Sequence, residues 1–218
     1  MAEYKGVARI ICAGEKSKGF VREQGDLVIA ADGGLNYAEE WNILPDIIIG
    51  DFDSLGYTPS GSEVISLPVE KDDTDTLAAV KIAEERGYTE FFLYSAAGGE
   101  CDHTIANICV LNMLAKNGKH AYMYDGDRII TVICNENLIF DERCRGKISV
   151  FSCGDSTKVD IKGLKYEYSG EMTSDFPLGC GNVFVGQSGR IYSEKSAIVV
   201  FPGEIYNNHL FKRCGNGI

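Results

Sequence analysis

Aspartates stand just past each of four short apolar runs in the first half of the chain. Runs of this length, closed by Gly or Pro, are typical of buried parallel strands. Ligands of open α/β sheets bind beyond the carboxyl ends of such strands, so these side chains are expected to meet at one edge of a sheet. The seven aspartates are Asp32, Asp51, Asp53, Asp72, Asp73, Asp75 and Asp102.

A cluster of carboxylates needs a compensating cation, because like charges held close together repel one another. One aspartate alone would be interpreted as a turn or helix-cap residue, and Asp102 has the position of a cap. A turn or cap role does not explain why aspartates from several loops are expected to converge at one edge of the sheet. Hard oxygen ligands suit Mg²⁺, which is typically held by a few carboxylates together with substrate phosphates. The residues therefore predict a site for Mg²⁺ and a phosphate-bearing substrate.

Other phosphate-binding signatures are absent from the sequence, which contains neither GxxxxGK[ST] nor a GxGxxG that follows a strand. No pair of nucleophile and base stands out either. The stretch DFDS at residues 51–54 is similar to the nucleophile motif of haloacid-dehalogenase-type phosphatases, although Leu55 replaces the Thr or Val of that motif. An alternative function is therefore a Mg²⁺-dependent phosphatase with Asp51 as its nucleophile.

The first 137 residues alternate strand and helix patterns. Apolar runs at 7–12, 27–31, 47–49, 64–67 and 91–97 predict strands. Helical spacing of apolar residues predicts helices at 35–41, 76–86 and 103–117, with Asp102 as the N-cap of the third. This order predicts an α/β domain over residues 1–137, with an open, mostly parallel sheet and helices on both faces.

The pattern changes after about residue 138. Apolar residues alternate with period two in short stretches, and glycine-containing turns separate them. Short strands at this spacing are typical of a β-sandwich or barrel. We therefore expect an all-β sandwich domain over residues 138–218, with no helix.

Charge and composition exclude some classes of function. The net charge of −11 argues against nucleic acid as a partner, because a basic surface supplies most of that affinity. No apolar run approaches the roughly 20 residues of a membrane span, and the first residues lack the apolar core of a signal peptide. The eight cysteines show no zinc-site spacing, so we expect reduced thiols in a cytoplasmic protein.

Four motifs occur in order along the chain: ADGGLN at 31–36, GDFDS at 50–54, KDDTD at 71–75 and GGECDH at 98–103. They resemble the ADGGxN, GDFDS, KDxTD and GGRxDH motifs of the thiamine pyrophosphokinase family, and GDFDS is the most specific of them. The later GLKY at 163–166 and Asn182 also fit the family. The resemblance covers essentially the whole chain.

The resemblance implies a reaction in which the hydroxyl of thiamine attacks the β-phosphorus of ATP and gives thiamine diphosphate and AMP. Such a transfer depends on positioning and charge neutralisation more than on covalent catalysis. The resemblance also implies a homodimer in which thiamine lies between the α/β domain of one subunit and the β-domain of the other.

The family's motifs assign roles by resemblance. Asp51, Asp53 and Asp75 would hold Mg²⁺, and Asp72 completes the catalytic set; any one of these aspartates could accept the hydroxyl proton. The thiamine-binding residues would be Gly181 and Asn182. The ATP-binding residues would be Asp32, Gly33, Gly34, Asn36, Lys71, Thr74, Asp102 and His103.

Two residues depart from the family's pattern. Glu100 replaces the Arg of GGRxDH, which exchanges a cation for an anion beside the expected phosphates. Gly181 replaces the Ser of a Ser-Asn pair, which removes one hydroxyl from the expected substrate contacts. A non-catalytic sensor of nucleotide or thiamine is therefore a further alternative to the enzyme.

Overall fold

Strands dominate the computed structural model of the chain, which describes residues 5–51, 61–68 and 72–215. The first elements in chain order are β1 (Ala8–Ile11), β2 (Leu27–Ala31), α1 (Gly34–Glu40), β3 (Ile47–Gly50), β4 (Glu63–Ser66), α2 (Asp75–Glu85), β5 (Glu90–Tyr94), α3 (Cys101–Lys116) and β6 (His120–Asp125). The later elements are β7 (Arg128–Phe140), β8 (Lys147–Ser152), β9 (Ser156–Lys162), β10 (Tyr168–Thr173), β11 (Asn182–Val183), β12 (Gly189–Pro202), α4 (Gly203–Asn207) and β13 (Phe211–Gly215).

The described chain divides into two compact units. The first extends to Val110 and also includes Ala121–Gly126. The second combines Leu111–His120 with the chain from Asp127 onward. Residue 137, the predicted boundary, lies within β7.

A parallel sheet forms the centre of the first unit. Strands β5, β1, β2, β3 and β4 pair in that order, and all four pairings are parallel. Every residue of β1, β2 and β3 is buried, which explains why these strands are continuous apolar runs rather than alternating ones. The side chains of Leu35 and Ala38 in α1 pack against apolar residues of these strands.

Local sequence sets the start of each longer helix in this unit. Thr74 is the N-cap of α2, where its hydroxyl accepts a hydrogen bond from the Leu77 N–H at 3.2 Å. Helix α3 begins at Cys101, so the prediction of Asp102 as its N-cap is wrong. Asp102 lies instead in the first turn, where its carboxylate accepts a hydrogen bond from the His103 N–H at 2.9 Å.

Antiparallel pairing organises the second unit. Strand β12 pairs with β7, β8 and β9, and its register shifts between Ser193 and Ser196. Strands β10, β11 and β13 pair with β9, β8 and β7, respectively. The expectation of an all-β region without a helix is wrong at α4, whose five residues are too few to produce a helical apolar pattern in the sequence.

Two further observations concern features that the sequence analysis raised. None of the eight cysteines forms a disulfide bond in the structure. In the part of the chain that is described, no helix combines the length and apolar character that crossing a membrane requires.

Candidate functional site

A cavity of about 460 Å³ lies in the first unit, beyond the carboxyl ends of β1, β2 and β5. The first turns of α2 and α3 complete its wall. This is the edge of the sheet at which the aspartates were predicted to converge. The cavity is lined by Cys12, Ala13, Gly14, Ala31, Asp32, Thr74, Asp75, Thr76, Ala96, Gly98, Gly99, Glu100, His103 and Asn107.

Two glycines allow the backbone segments around the cavity to approach one another closely. A Cβ on Gly14 would lie 2.7 Å from the carbonyl oxygens of both Ser95 and Ala97. A Cβ on Gly34 would lie 2.0 Å from the carbonyl oxygen of Ile11. Since real Cβ contacts are not this short, each position requires glycine for its close backbone packing.

Two of the predicted aspartates line the cavity. Asp32 follows β2 in a left-handed backbone conformation, with φ of 47°, and its N–H donates to the Ile49 carbonyl at 2.7 Å. Asp75 lies in the first turn of α2, directly after the capping Thr74. Both carboxylates are half-buried. The cavity therefore carries negative charge contributed by separate segments of the chain.

Asp51 and Asp72 do not belong to the lining. Asp51 is half-buried directly after β3, and the adjoining Gly50 approaches Asp32 so closely that a Cβ on the glycine would lie 3.3 Å from the Asp32 Cα. Asp72 is exposed just ahead of α2. Asp53 and Lys71 lie outside the described residues.

Three exposed side chains cluster at the start of α3. Candidate metal-binding atoms of Glu100, Asp102 and His103 lie within 4.8 Å of one another. The Nε2 of His103 lies 3.5 Å from Oε2 of Glu100. Glu100 and His103 also line the cavity.

Three lining residues with polar or thiol side chains were not identified as candidates from the sequence: Cys12, Thr76 and Asn107. The Asn107 amide donates to the Ala96 carbonyl at 2.7 Å, and the Thr76 hydroxyl lies 3.4 Å from the Cys12 sulfur. Their sequence signals were their positions, just past β1 for Cys12 and near the start of two predicted helices for the others.

The thiol of Cys12 is protonated in the folded protein. Burial raises the pKa of Cys12 to about 12, and the negative charge of Asp75 also raises it, while the Thr76 hydrogen bond lowers it by less. A thiol with this pKa is not a nucleophile at neutral pH, because the thiolate is the reactive form. The chemistry of the cavity therefore rests on its carboxylates, backbone groups and His103.

Besides Asp102, three predicted ATP-binding residues of the described chain lie outside the lining of the cavity. Gly33 directly precedes α1, Gly34 is its buried first residue, and Asn36 is exposed on it. The backbone N–H of Asn36 donates to the Gly33 carbonyl at 3.2 Å.

The two predicted thiamine-binding residues belong to the second unit. The Asn182 amide is buried, and it binds the backbone of Tyr166 on both sides, accepting from its N–H at 3.0 Å and donating to its carbonyl at 2.7 Å. Gly181 has a φ of 76°, and its N–H donates to the Ser149 hydroxyl at 3.0 Å. In this structure Asn182 therefore fixes the segment that carries the exposed Tyr166.

Known proteins resemble part of this chain in sequence and most of it in fold. Residues 21–123 match the family model described as thiamin pyrophosphokinase, catalytic domain. No curated protein matches the chain in sequence.

Solved structures are similar over most of the chain. The thiamine pyrophosphokinase from Bacillus subtilis superposes with a TM-score of 0.79 at 21% identity, covering 90% of this chain and 99% of that one. The enzyme from Geobacillus thermodenitrificans gives 0.76 at 22% identity, with 90% and 97% covered. Yeast thiamin pyrophosphokinase gives 0.73 at 19% identity, with 92% and 87% covered. At these identities the structures establish a shared fold.

Proposed function

We propose that this chain is a thiamin pyrophosphokinase, the family whose catalytic-domain model matches residues 21–123, and that the cavity of its first unit is where it transfers the pyrophosphoryl group of ATP to thiamine. The products are thiamine diphosphate and AMP. The observation that carries this proposal is the cavity itself, in which carboxylates from separate segments face glycine-rich backbone and the one cysteine of the lining is a protonated thiol.

The reaction requires one bond to form and one to break at the β-phosphorus. The thiamine hydroxyl oxygen attacks this phosphorus and loses its proton to a base, and the bond from the β-phosphorus to the bridging oxygen of the α-phosphate breaks. AMP leaves with that oxygen. Since no covalent enzyme intermediate is needed, the protein acts by holding the two substrates in line and by balancing charge.

A divalent cation fits the residues present. Asp32 and Asp75 bring carboxylate oxygens to the cavity from two elements, and Asp51 follows the neighbouring strand β3. Hard oxygen donors of this kind suit Mg²⁺. We assign Asp51, Asp53 and Asp75 to the metal, which when bound would neutralise charge on the transferring phosphates.

The remaining ATP contacts are assigned to the cavity wall and to the loops beside it. Gly98 and Gly99 present backbone to the cavity without side chains, which lets phosphate oxygens approach closely. His103 lies on the lining as a polar side chain for the nucleotide. The assigned ATP-binding residues are Asp32, Gly33, Gly34, Asn36, Lys71, Thr74, Asp102 and His103, with Asp72 in the catalytic set.

The proposed organisation divides the substrates between two domains. Residues 1–137 form an α/β domain, with helices on both faces of its sheet, that binds ATP and metal. Residues 138–218 form an all-β sandwich that binds thiamine through Gly181 and Asn182. The functional unit is a homodimer in which each thiamine lies between the α/β domain of one subunit and the β-domain of the other.

The products of a single incubation test this function. Purified protein is incubated with Mg²⁺, ATP and thiamine, and the products are resolved by chromatography. Thiamine diphosphate and AMP in equal amounts support the proposal. Release of orthophosphate from a phosphomonoester through a phosphorylated Asp51 would establish the phosphatase instead, and ATP binding without turnover would establish a sensor. Omission of thiamine is the matched control, since AMP should then not accumulate.

A further inference from the structure

Two buried serines, Ser17 and Ser95, hold each other's backbone beneath the cavity wall. The N–H of Ser17 donates to the Ser95 hydroxyl at 3.1 Å, and the N–H of Ser95 donates to the Ser17 hydroxyl at 2.5 Å. Ser17 is 6% exposed and Ser95 is fully buried, although 78 positions separate them in the chain. Neither side chain lines the cavity. We call this reciprocal pair the serine clamp.

The clamp maintains an unfavourable backbone conformation. Ser95 has a φ of 50°, in the left-handed region that serine rarely adopts. Such a conformation persists only where surrounding contacts fix it, and these positions cluster at functional sites. Here the contacts are the hydrogen bond that the Ser95 N–H donates to Ser17 and the one that the Ser95 carbonyl accepts from the Gly14 N–H at 2.7 Å.

The clamp therefore joins two adjacent loops that both contribute to the cavity wall. The loop after β1 supplies Ala13 and Gly14 to the lining, and the loop after β5 supplies Ala96, Gly98 and Gly99. Beside the clamp, the Glu15 N–H donates to the Ala97 carbonyl at 2.9 Å, so the loops are bonded to each other along their length.

We infer that Ser17 and Ser95 are positioning residues for the nucleotide, fixing the paired loops whose glycines line the cavity where the phosphates of ATP bind. This inference rests on the proposed function of the cavity. The serines act through backbone they hold in place, and they do not touch the substrate. A small shift of either loop would misplace the phosphates, and misplacement of reacting groups costs large factors in binding or rate.

Two variants, Ser17→Ala and Ser95→Gly, distinguish an effect on ATP binding from an effect on protein stability. Ser17→Ala removes the acceptor of the Ser95 N–H. Ser95→Gly removes the acceptor of the Ser17 N–H, but it also relieves the left-handed strain, so its thermal unfolding midpoint should change little. Both variants should raise the dissociation constant for ATP, measured by calorimetric titration with Mg²⁺, about tenfold.

A double-mutant cycle tests whether the two serines act as one device. Relative to the original protein, the combined variant should raise the dissociation constant for ATP about tenfold in total, as each single variant does. Independent effects would multiply to about a hundredfold, but either single change already breaks the pair. Ser17→Thr keeps the hydroxyl and should stay within about twofold of the original protein.

The matched control is a buried serine of the second unit. The Ser193 hydroxyl is fully buried and donates to the Lys195 carbonyl at 2.8 Å, so Ser193→Ala also removes a buried hydrogen bond. It should lower the unfolding midpoint and leave ATP affinity unchanged. Unchanged ATP affinity in both clamp variants would overturn the inference while leaving the proposed function intact. Failure of the original protein to bind ATP would overturn both.

Discussion

Asp75 lies in the first turn of α2, and its carboxylate lines the cavity, where it is assigned to the metal. We expect Asp75→Asn to keep the fold, since the shape of the side chain is retained and loss of a charge near a helix N-terminus costs about 0.3–1 kcal/mol. The rate of AMP formation should fall about a hundredfold or more, because charge organised around the transferring phosphoryl group is lost. Steady-state kinetics and thermal unfolding measure the two effects.

Asp73 provides the control for this substitution. It precedes Asp75 by two positions, and its carboxylate accepts a hydrogen bond from the exposed Lys81 at 2.5 Å outside the cavity. Surface ion pairs contribute about 0–1 kcal/mol, so Asp73→Asn should leave both rate and stability nearly unchanged. Equal rates for the two variants would contradict the assignment of Asp75.

Glu100 places a negative charge on the cavity lining where ATP phosphates are proposed to bind. Its side chain is 80% exposed, and solvent screens its repulsion of the nucleotide. We expect Glu100→Arg to lower the KM for ATP about threefold, a modest effect in keeping with exposed charges. Glu100→Gln removes the repulsion without adding a cation and should give an intermediate KM. An unchanged KM in the Arg variant would show that Glu100 faces away from the phosphates, and a KM that rises would contradict the alignment of this loop with the family's motif.

At the scale of the elements, an ionic network joins β13 to β7 in the second unit. Arg213 donates to both carboxylate oxygens of Glu136 and to the Thr131 hydroxyl, and Nε2 of His120 lies 3.1 Å from the same carboxylate. Burial alone would raise the pKa of Glu136, but hydrogen bonds from His120 and Arg213 outweigh it and lower the pKa to about 2. The network therefore favours the ionised carboxylate strongly.

This pKa predicts a specific loss of stability in acid. A carboxyl whose pKa falls on folding stabilises the protein above its unfolded pKa, and that contribution disappears as pH falls from about 4.5 to about 2. The loss should amount to about 3 kcal/mol of unfolding free energy, measured by denaturant titration across this range.

Glu136→Gln separates the pH-dependent stability that Glu136 contributes from the stability that other carboxyl groups contribute. The variant should be less stable at neutral pH, because the buried Arg213 loses its ionic partner, and its stability should depend less on pH between 4.5 and 2. Glu171→Gln, an exposed change on β10, should keep the original pH dependence. A Glu136→Gln variant with the same pH dependence as the original protein would exclude the network as its source.

The sequence predicts well those parts of the fold that one stretch of chain determines. The continuous apolar runs of β1, β2 and β3 are buried strands, and α2 begins one residue ahead of the predicted 76–86. Parallel strands place their carboxyl ends together, so the convergence of Asp32 and Asp75 on one cavity was also predictable.

Features that depend on distant partners could not be predicted in this way. Tyr166 lies outside the described strands, and the Asn182 amide binds its backbone from 16 positions away. The serine clamp, likewise, has no local signature. Two serines 78 positions apart carry no pattern of spacing, and the conformation of Ser95 follows from contacts that the sequence does not state.

At the scale of the whole molecule, the proposed homodimer predicts complementation between two inactive variants. Asp75→Asn damages the metal half of the site, and Asn182→Ala is expected to damage the thiamine half. The two variants are unfolded, mixed equally and refolded. If each site uses both subunits, half of the dimers are heterodimers with one intact site of two, so activity should recover to about a quarter of the original.

Each variant refolded alone is the control and should remain inactive. Circular dichroism of Asn182→Ala checks that loss of the amide contacts to Tyr166 has not unfolded the second unit. Heterodimers are counted by native mass spectrometry. Heterodimers present without recovery of activity would contradict a site shared between subunits.

The most direct test of the central claim follows the atoms of ATP. ATP is prepared with a radioactive β-phosphorus and with ¹⁸O in the bridge between the α- and β-phosphates, and it is incubated with Mg²⁺, thiamine and the protein. Attack on the β-phosphorus predicts that the radioactive label is found in thiamine diphosphate and that the ¹⁸O leaves with AMP. Radioactive label in ADP, or ¹⁸O retained in thiamine diphosphate, would contradict pyrophosphoryl transfer in this cavity.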